Sequence, residues 1–304
     1  LPGIRKAGKE MNNNNYVVGR RNWRLQNAER FFSDKPLYMR KKALVKGESE
    51  LWDAMCLQPT GPSLDQDVAV STQFIDKMRK LNPDIRFLLF ESWPTLEAAA
   101  ETRRELKLKP EDLIPEDRMS ALRQSFDYAE AWNAPVDALS KGGGVNAAYL
   151  ESYRARLAEK YPELAKSGGF LRVPAGELLL ALDQLAKDGK IPGAESAADF
   201  YKDESTPRTG LPRYAVATLY LATLFGEAPE NLDWELFNDV RAYLPDTANA
   251  PMKDTPPDPR IHGVKPEKLY GWFDMGPHFE MREETVNLVN ETINNLVRQE
   301  STIR

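Results

Sequence analysis

The sequence predicts an α/β fold, a three-layer α/β/α sandwich with a mainly parallel sheet. Short apolar runs are followed repeatedly by amphipathic helices, and the clearest run, residues 85–90, is almost continuously apolar. Strands covered on both faces have this composition, and strand-then-helix units favour parallel pairing. We therefore expect strands near residues 16–18, 52–57, 85–90 and 170–173.

The helices are predicted from apolar residues that recur at spacings of three and four. Asn82 and Pro83 should end the first helix, and Gly226 is a suitable cap for the fifth. The fifth helix is apolar on almost all sides, which predicts that it lies against the sheet. The pattern indicates helices over 68–81, 118–132, 147–161, 177–187, 211–225 and 283–298.

Composition argues against several classes of function. The 304 residues include 41 Lys plus Arg and 46 Asp plus Glu, for a net charge of −5, so the broad basic surface that nucleic acid requires is not expected. No apolar run approaches the roughly 18 residues of a spanning helix, and the first residues lack a signal core. We expect no membrane span and leave the compartment open, with export as one alternative.

Metal and cofactor sites are not expected. The chain has one cysteine, Cys56, and two histidines, His262 and His278, which leaves no internal disulfide and no Cys-based zinc site. Cys56 lies in an apolar run, where a buried and inert thiol is the usual interpretation.

Proline and glycine divide the chain. Residues 1–226 are predicted to form one α/β domain, and the charged, proline-broken stretch 95–145 is interpreted as an insertion or lid. Residues 227–280 hold eight of the 22 prolines, so 227–304 is interpreted as an arm followed by a C-terminal helix. We expect the arm to pack on its own domain, and the alternative is a neighbouring copy of the chain in a homo-oligomer.

Several segments resemble the SGNH (GDSL-like) hydrolases, in particular the branch common in planctomycete-type bacteria. Leu1–Ile4, Gly47–Pro59 and Asn82–Pro94 match family segments in the family's order. The most specific stretch reads VPAGE at 173–177, then GKIPG at 189–193, then FYKD at 200–203. The resemblance spans more than 200 residues and implies the flavodoxin-like SGNH hydrolase fold.

The resemblance also implies ester hydrolysis through an acyl-serine intermediate, including deacetylation of carbohydrate, with no cofactor. Asp203 matches the aspartate that orients the histidine. Gly19 and Gln58 match the oxyanion donors, and Trp93 lies on the same rim. The expected ligand is an ester or a carbohydrate.

Two parts of that machinery do not match. Thr206 stands where the family has its histidine, and a hydroxyl cannot shuttle protons near neutral pH. The serine block would precede Leu1. Three explanations therefore stay open: a chain that lacks its beginning, a degenerate member, or imperfect local sequence. A non-catalytic protein with a binding or assembly role is the alternative function.

Other constellations are weaker. Asp274 and His278 lie on either side of a Gly-Pro turn, and Ser92 lacks the glycine-flanked elbow of an exposed nucleophile. Glu91 and Glu177 form a carboxylate pair only if the fold brings them together.

Overall fold

A small parallel sheet organises the protein. The computed structural model describes residues 54–61, 63–96, 99–108, 114–136, 144–201, 210–229, 234 and 281–302. Within these ranges, β1 (Ala54–Leu57), β2 (Arg86–Phe90) and β3 (Phe170–Val173) form one sheet in the order β1-β2-β3. Leu57 pairs with Leu89, and Phe90 pairs with Val173. The mixed α/β class with a parallel sheet is confirmed.

One face of the sheet is covered by helices α1 (Leu64–Leu81), α5 (Ala147–Lys160) and α6 (Pro162–Ser167). The side chains of Phe87 and Leu89 on this face pack with apolar side chains of all three helices. Polar pairs join α1 to α5 and to the residue after it. They are Asp67 with Tyr149, Ser71 with Tyr153, and Asp76 with Tyr161. Because both members of the pairs advance together along the chain, α1 and α5 run in the same direction.

The opposite face carries Leu88, Phe90, Leu171 and Val173, which belong to a larger apolar cluster. Helix α7 (Ala175–Lys187), a 3-10 helix (Ala197–Phe200), α8 (Leu211–Phe225) and α9 (Glu283–Thr302) contribute to that cluster. Helix α8 lies against β3 and α9, as its apolar sequence predicts. Gly226 ends α8 in the left-handed conformation, with its N–H donating to Ala222 O at 2.7 Å.

The segment interpreted as an insertion or lid contains α2 (Ala99–Glu105), α3 (Glu116–Gln124) and α4 (Tyr128–Asn133). Its side chains join the larger core, and Met119, Tyr128 and Trp132 are buried. The single helix predicted over 118–132 is wrong. Asp127 accepts a hydrogen bond from Glu130 N at 3.0 Å and begins a second helix there, as an N-cap residue does.

The other predicted elements occur with shifted ends. Helix α1 begins four residues before the predicted start at 68, and α9 extends to Thr302. No described helix has the length and apolar character needed to cross a bilayer. The predicted strand at 16–18 and most of the predicted arm lie outside the described residues. At the start of the arm, Ala228 N donates to Asn294 Oδ1 of α9 at 2.7 Å.

Candidate functional site at the carboxyl edge of the sheet

The carboxyl ends of the three strands lie at one edge of the sheet, because the strands are parallel. We call this the carboxyl edge, and open α/β sheets bind their ligands there. The residue after β2 is bonded to the first turn of α7, and the loop after β1 is bonded to the segment before α5. Gly176 N donates to Glu91 O at 2.8 Å, and Gly144 N donates to Thr60 O at 3.2 Å.

Gln58 is the first residue after β1, and it is half-buried. The loop that follows is fixed by Asp67 of α1. The Oδ2 atom of Asp67 accepts hydrogen bonds from Thr60 N, Gly61 N and the Tyr149 hydroxyl, each at 2.8 Å. The carboxylate, which is 6% exposed, thus satisfies two backbone donors of a turn that has no other secondary structure.

Trp93 lies three residues beyond β2 and is half-buried. Its ring meets the ring of Phe90 edge-on, with centroids 6.0 Å apart at 88°. Phe90 in turn stacks on Tyr220 of α8, with centroids 5.0 Å apart. The contacts of Trp93 with the larger core make it a packing residue at the rim.

The segment that leads to Asp203 begins at the carboxyl edge. Tyr201 is buried, and its hydroxyl donates to Pro94 O, in the loop after β2, at 2.6 Å. The guanidinium of Arg123 donates to Tyr201 O at 3.2 Å. Burial raises the pKa of Tyr201 well above 10.0, and the charge of Asp183 adds to the rise. This tyrosine is therefore a neutral hydrogen-bond donor that anchors the segment.

Six residues named in the sequence analysis lie outside the described part of the chain. They are Gly19, Asp203, Thr206, His262, Asp274 and His278. Gln58 and Trp93 are therefore the two predicted site residues that the structure describes. They follow neighbouring strands, β1 and β2, at the same edge of the sheet.

A cluster of charged side chains lies at the ends of β2 and β3, on the face covered by α1 and α5. Arg172 of β3 donates from Nε to Glu91 Oε2 at 2.6 Å and also pairs with Glu177 of α7. Arg154 of α5 pairs with the second oxygen of Glu91. The fold thus brings Glu91 and Glu177 together through a shared arginine. We call these four residues the Glu91 network.

Glu91 is 1% exposed, and burial raises the pKa of its carboxyl above the ordinary value of 4.5. The guanidinium groups of Arg172 and Arg154 lower the pKa and offset part of the rise. Burial disfavours the charged form, whereas the arginines favour it. Through these pairs, the network connects the residue after β2 with β3, α5 and α7.

Cys56 differs from expectation. The expected burial of the residue is wrong, because Cys56 of β1 is exposed. Desolvation nevertheless raises the pKa of its thiol to about 11, so the thiol stays protonated near neutral pH, as expected of an inert group. Its Sγ atom lies 3.2 Å from the Tyr220 hydroxyl, within hydrogen-bonding distance. Among the described residues, no group of three or more His, Cys, Asp or Glu side chains could hold a metal ion.

The sequence analysis did not identify Asp67, Arg154 or Arg172 as buried polar residues. For Asp67, the sequence did contain an indication. Asp67 and Ser71 stand in line with Phe74 and Met78 on the face of α1 that packs against the sheet, at spacings of four, three and four. A polar residue in an apolar stripe indicates a buried partner elsewhere. Arg154 and Arg172 gave no such signal, because their partner Glu91 lies 63 and 81 residues away in sequence.

No protein-family model, curated protein or solved structure matches this chain.

Proposed function

We propose that the chain is an SGNH-hydrolase-like protein with a three-layer α/β/α sandwich, whose carboxyl edge binds an ester or an acetylated carbohydrate. Its ancestral activity is ester hydrolysis through an acyl-serine intermediate. With Thr206 in place of the histidine, we expect the chain as given to bind such a ligand without turning it over.

The hydrogen bond between Tyr201 and Pro94 carries the proposal. Asp203 is two residues beyond Tyr201, and Pro94 follows Trp93 directly. Gln58 follows the neighbouring strand at the same edge. This arrangement supports a shared crevice for Gln58, Trp93 and Asp203.

The chemistry of these side chains fits an ester carbonyl. The Gln58 amide can donate a hydrogen bond to a carbonyl oxygen, and the aromatic ring of Trp93 at the same edge of the sheet could contact the apolar face of a sugar. An amide donor in a partly desolvated loop favours developing negative charge on that oxygen. The alternative is a non-catalytic scaffold for binding or assembly, and the hydroxyl at Thr206 favours it over turnover.

Two assays test the proposal on the full chain. Hydrolysis of p-nitrophenyl acetate and acetylated xylan is measured with Asp203→Ala as the control, and we expect no turnover above that control. Binding of acetylated xylo-oligosaccharide is measured by calorimetry, with Gln58→Ala against the exposed Gln124→Ala as a matched variant. We expect binding that Gln58→Ala weakens about tenfold, which is 1.4 kcal/mol.

The outcomes separate the candidates. Turnover that Asp203→Ala abolishes would show an active esterase and contradict the non-catalytic reading. An absence of both turnover and binding would overturn the ligand site and leave an assembly role.

A further inference from the structure

The loop after β1 is anchored at both of its ends. At one end, Leu57 is fixed by its parallel pairing with Leu89 in β2. At the other, Thr60 N and Gly61 N donate to the buried carboxylate of Asp67 at 2.8 Å each. Gln58 lies between the two anchors and is followed by the buried Pro59.

The span between the anchors has little freedom. The proline ring fixes φ near −65° and restricts the residue before it, which is Gln58. Gly61 has φ of +56°, and a Cβ atom there would lie 2.2 Å from Gly144 O. Gly144 N also donates to Thr60 O at 3.2 Å. The turn is thus held from α1 on one side and from the segment before α5 on the other.

Asp67 joins these two sides. Its Oδ2 atom also accepts from the hydroxyl of Tyr149, in the first turn of α5, at 2.8 Å. Tyr149 N in turn donates to the Asn146 side chain at 3.0 Å. One carboxylate oxygen therefore connects the turn after β1, helix α1 and the beginning of α5. Bonds to a charged acceptor are stronger than bonds between neutral groups.

We propose that Asp67 is a positioning residue. It holds the Gln58 backbone so that the Gln58 side-chain amide donates a hydrogen bond to a carbonyl oxygen of the ligand at the carboxyl edge. The ligand part of this inference rests on the proposed function. The backbone part rests on the three hydrogen bonds and the two anchors alone. Asp67 does not touch the ligand, and it acts through Thr60 and Gly61.

The test compares Asp67→Asn with Asp76→Asn in the full chain. Asp76 is a control on the same helix. It is exposed, and it accepts from the hydroxyl of Tyr161, a tyrosine just after α5, at 2.7 Å. The asparagine keeps the shape of the side chain and removes its charge. Amide hydrogen exchange is followed by mass spectrometry on peptides that cover residues 58–63.

We expect the Thr60 and Gly61 amides to exchange at least tenfold faster in Asp67→Asn and at the wild-type rate in Asp76→Asn. Unchanged exchange in Asp67→Asn would overturn the positioning role. If Asp67→Asn does not fold, Tyr149→Phe replaces it, since this variant removes one of the three bonds and keeps the carboxylate.

Binding of acetylated xylo-oligosaccharide is the second readout. We expect Asp67→Asn and Gln58→Ala each to weaken binding about tenfold, and the double variant to be no weaker, because coupled residues are not additive. Additive losses would overturn the coupling between Asp67 and Gln58. If the wild-type chain binds no oligosaccharide, the proposed function fails, and hydrogen exchange alone decides the positioning of the loop.

Discussion

Asp67 and Glu91 are both buried acids at the carboxyl edge, and different groups donate hydrogen bonds to their carboxyl oxygens. Asp67 accepts from two backbone N–H groups and a tyrosine hydroxyl, all uncharged. Glu91 instead faces the guanidinium groups of Arg154 and Arg172. The first arrangement fixes the path of one loop, whereas the second fixes strands and helices relative to one another.

The two arrangements differ in how closely they fix geometry and in how strongly the charges interact. Backbone N–H donors bind the Asp67 carboxylate in one geometry, and the loop that carries Gln58 is thereby held in one position. Two arginines carry full charge into the interior, where their attraction to Glu91 competes with the cost of removing all three charges from water. We therefore expect the Glu91 network to dominate the pH dependence of stability and Asp67 to dominate the order of the loop.

Loss of Arg172 should have the largest effect. In Arg172→Met, Glu91 keeps Arg154, which is 32% exposed, and loses the more buried guanidinium, which is 16% exposed. Breaking a buried ion pair on one side costs about 3 kcal/mol, so we expect the free energy of unfolding at pH 7 to fall by about that much. Urea unfolding measures it. Glu91→Gln, which leaves no buried anion, should cost much less.

The sign of the pH effect follows from the raised pKa of Glu91. The folded-state pKa lies above the ordinary value of 4.5, so the folded chain binds this proton more tightly than the unfolded chain does. This contribution to stability is full below pH 4.5 and is lost as the pH rises through the folded-state pKa. The deficit of Arg172→Met should therefore be larger at pH 7 than at pH 4. Equal deficits at both pH values would contradict this account.

Gly61→Ala should have the next largest effect, because it strains the turn that is hydrogen-bonded to Asp67. The position combines φ of +56° with a backbone oxygen 2.2 Å from the added methyl group. Gly189 is the matched control, since its φ is +70° and nothing lies within 4 Å of the added atom. Backbone strain alone costs about 1 kcal/mol, and overpacking adds about 1 kcal/mol. Thermal unfolding should separate the two variants, and similar melting temperatures would show that the turn yields easily.

The three described strands and most helices could be predicted from the sequence, because the patterns that indicate them are local. The apolar run at 85–90 and the spacing of Val286, Val289 and Ile293 need no knowledge of distant residues. The break between α3 and α4 was missed although its cause, the cap at Asp127, is also local. Apolar residues on both sides of that cap continued the helical period and concealed the break.

The two arrangements of buried acids differ in how far the sequence could reveal them. Asp67 interrupts an apolar stripe, so its burial was open to prediction, but its partner Tyr149 lies 82 residues away. Glu91 directly follows a strand, as many solvated residues do. The carboxylate pair with Glu177 depends on Arg172, whose position beside β2 follows from strand order, and strand order is a tertiary property.

Tyr149→Phe should have a moderate effect. It removes a hydroxyl that donates to the Asp67 carboxylate, and we expect a loss of about 1.5 kcal/mol in the free energy of unfolding. Tyr153→Phe is the control one turn along α5. Its hydroxyl lies 2.5 Å from the Ser71 hydroxyl, a neutral partner, so a loss of about 1 kcal/mol is expected. Urea unfolding of the two variants measures these losses. A larger loss for Tyr153→Phe would contradict the idea that the charge of Asp67 strengthens its bond to Tyr149.

Lys187→Met should have the smallest effect. It tests Asp183, a buried acid that has both a backbone N–H donor and a charged partner. Asp183 of α7 accepts from Ala197 N at 2.8 Å through one oxygen and pairs with Lys187 Nζ at 2.8 Å through the other. Lys187 is 39% exposed, so solvent screens the pair and we expect a loss below about 1 kcal/mol at pH 7.

The hydrogen bond to Asp183 raises the pKa of Lys187 above its ordinary value of 10.5. Its contribution to stability is therefore full below pH 10.5 and is lost as the pH rises through the folded-state pKa. The difference between Lys187→Met and the wild-type chain should shrink as unfolding is measured at increasing pH above that value. A difference that persists there would mean that the methylene stem of Lys187, and not its charge, supports the helix. Asp183 would then resemble Asp67, a buried acid that acts through the backbone donor it accepts from.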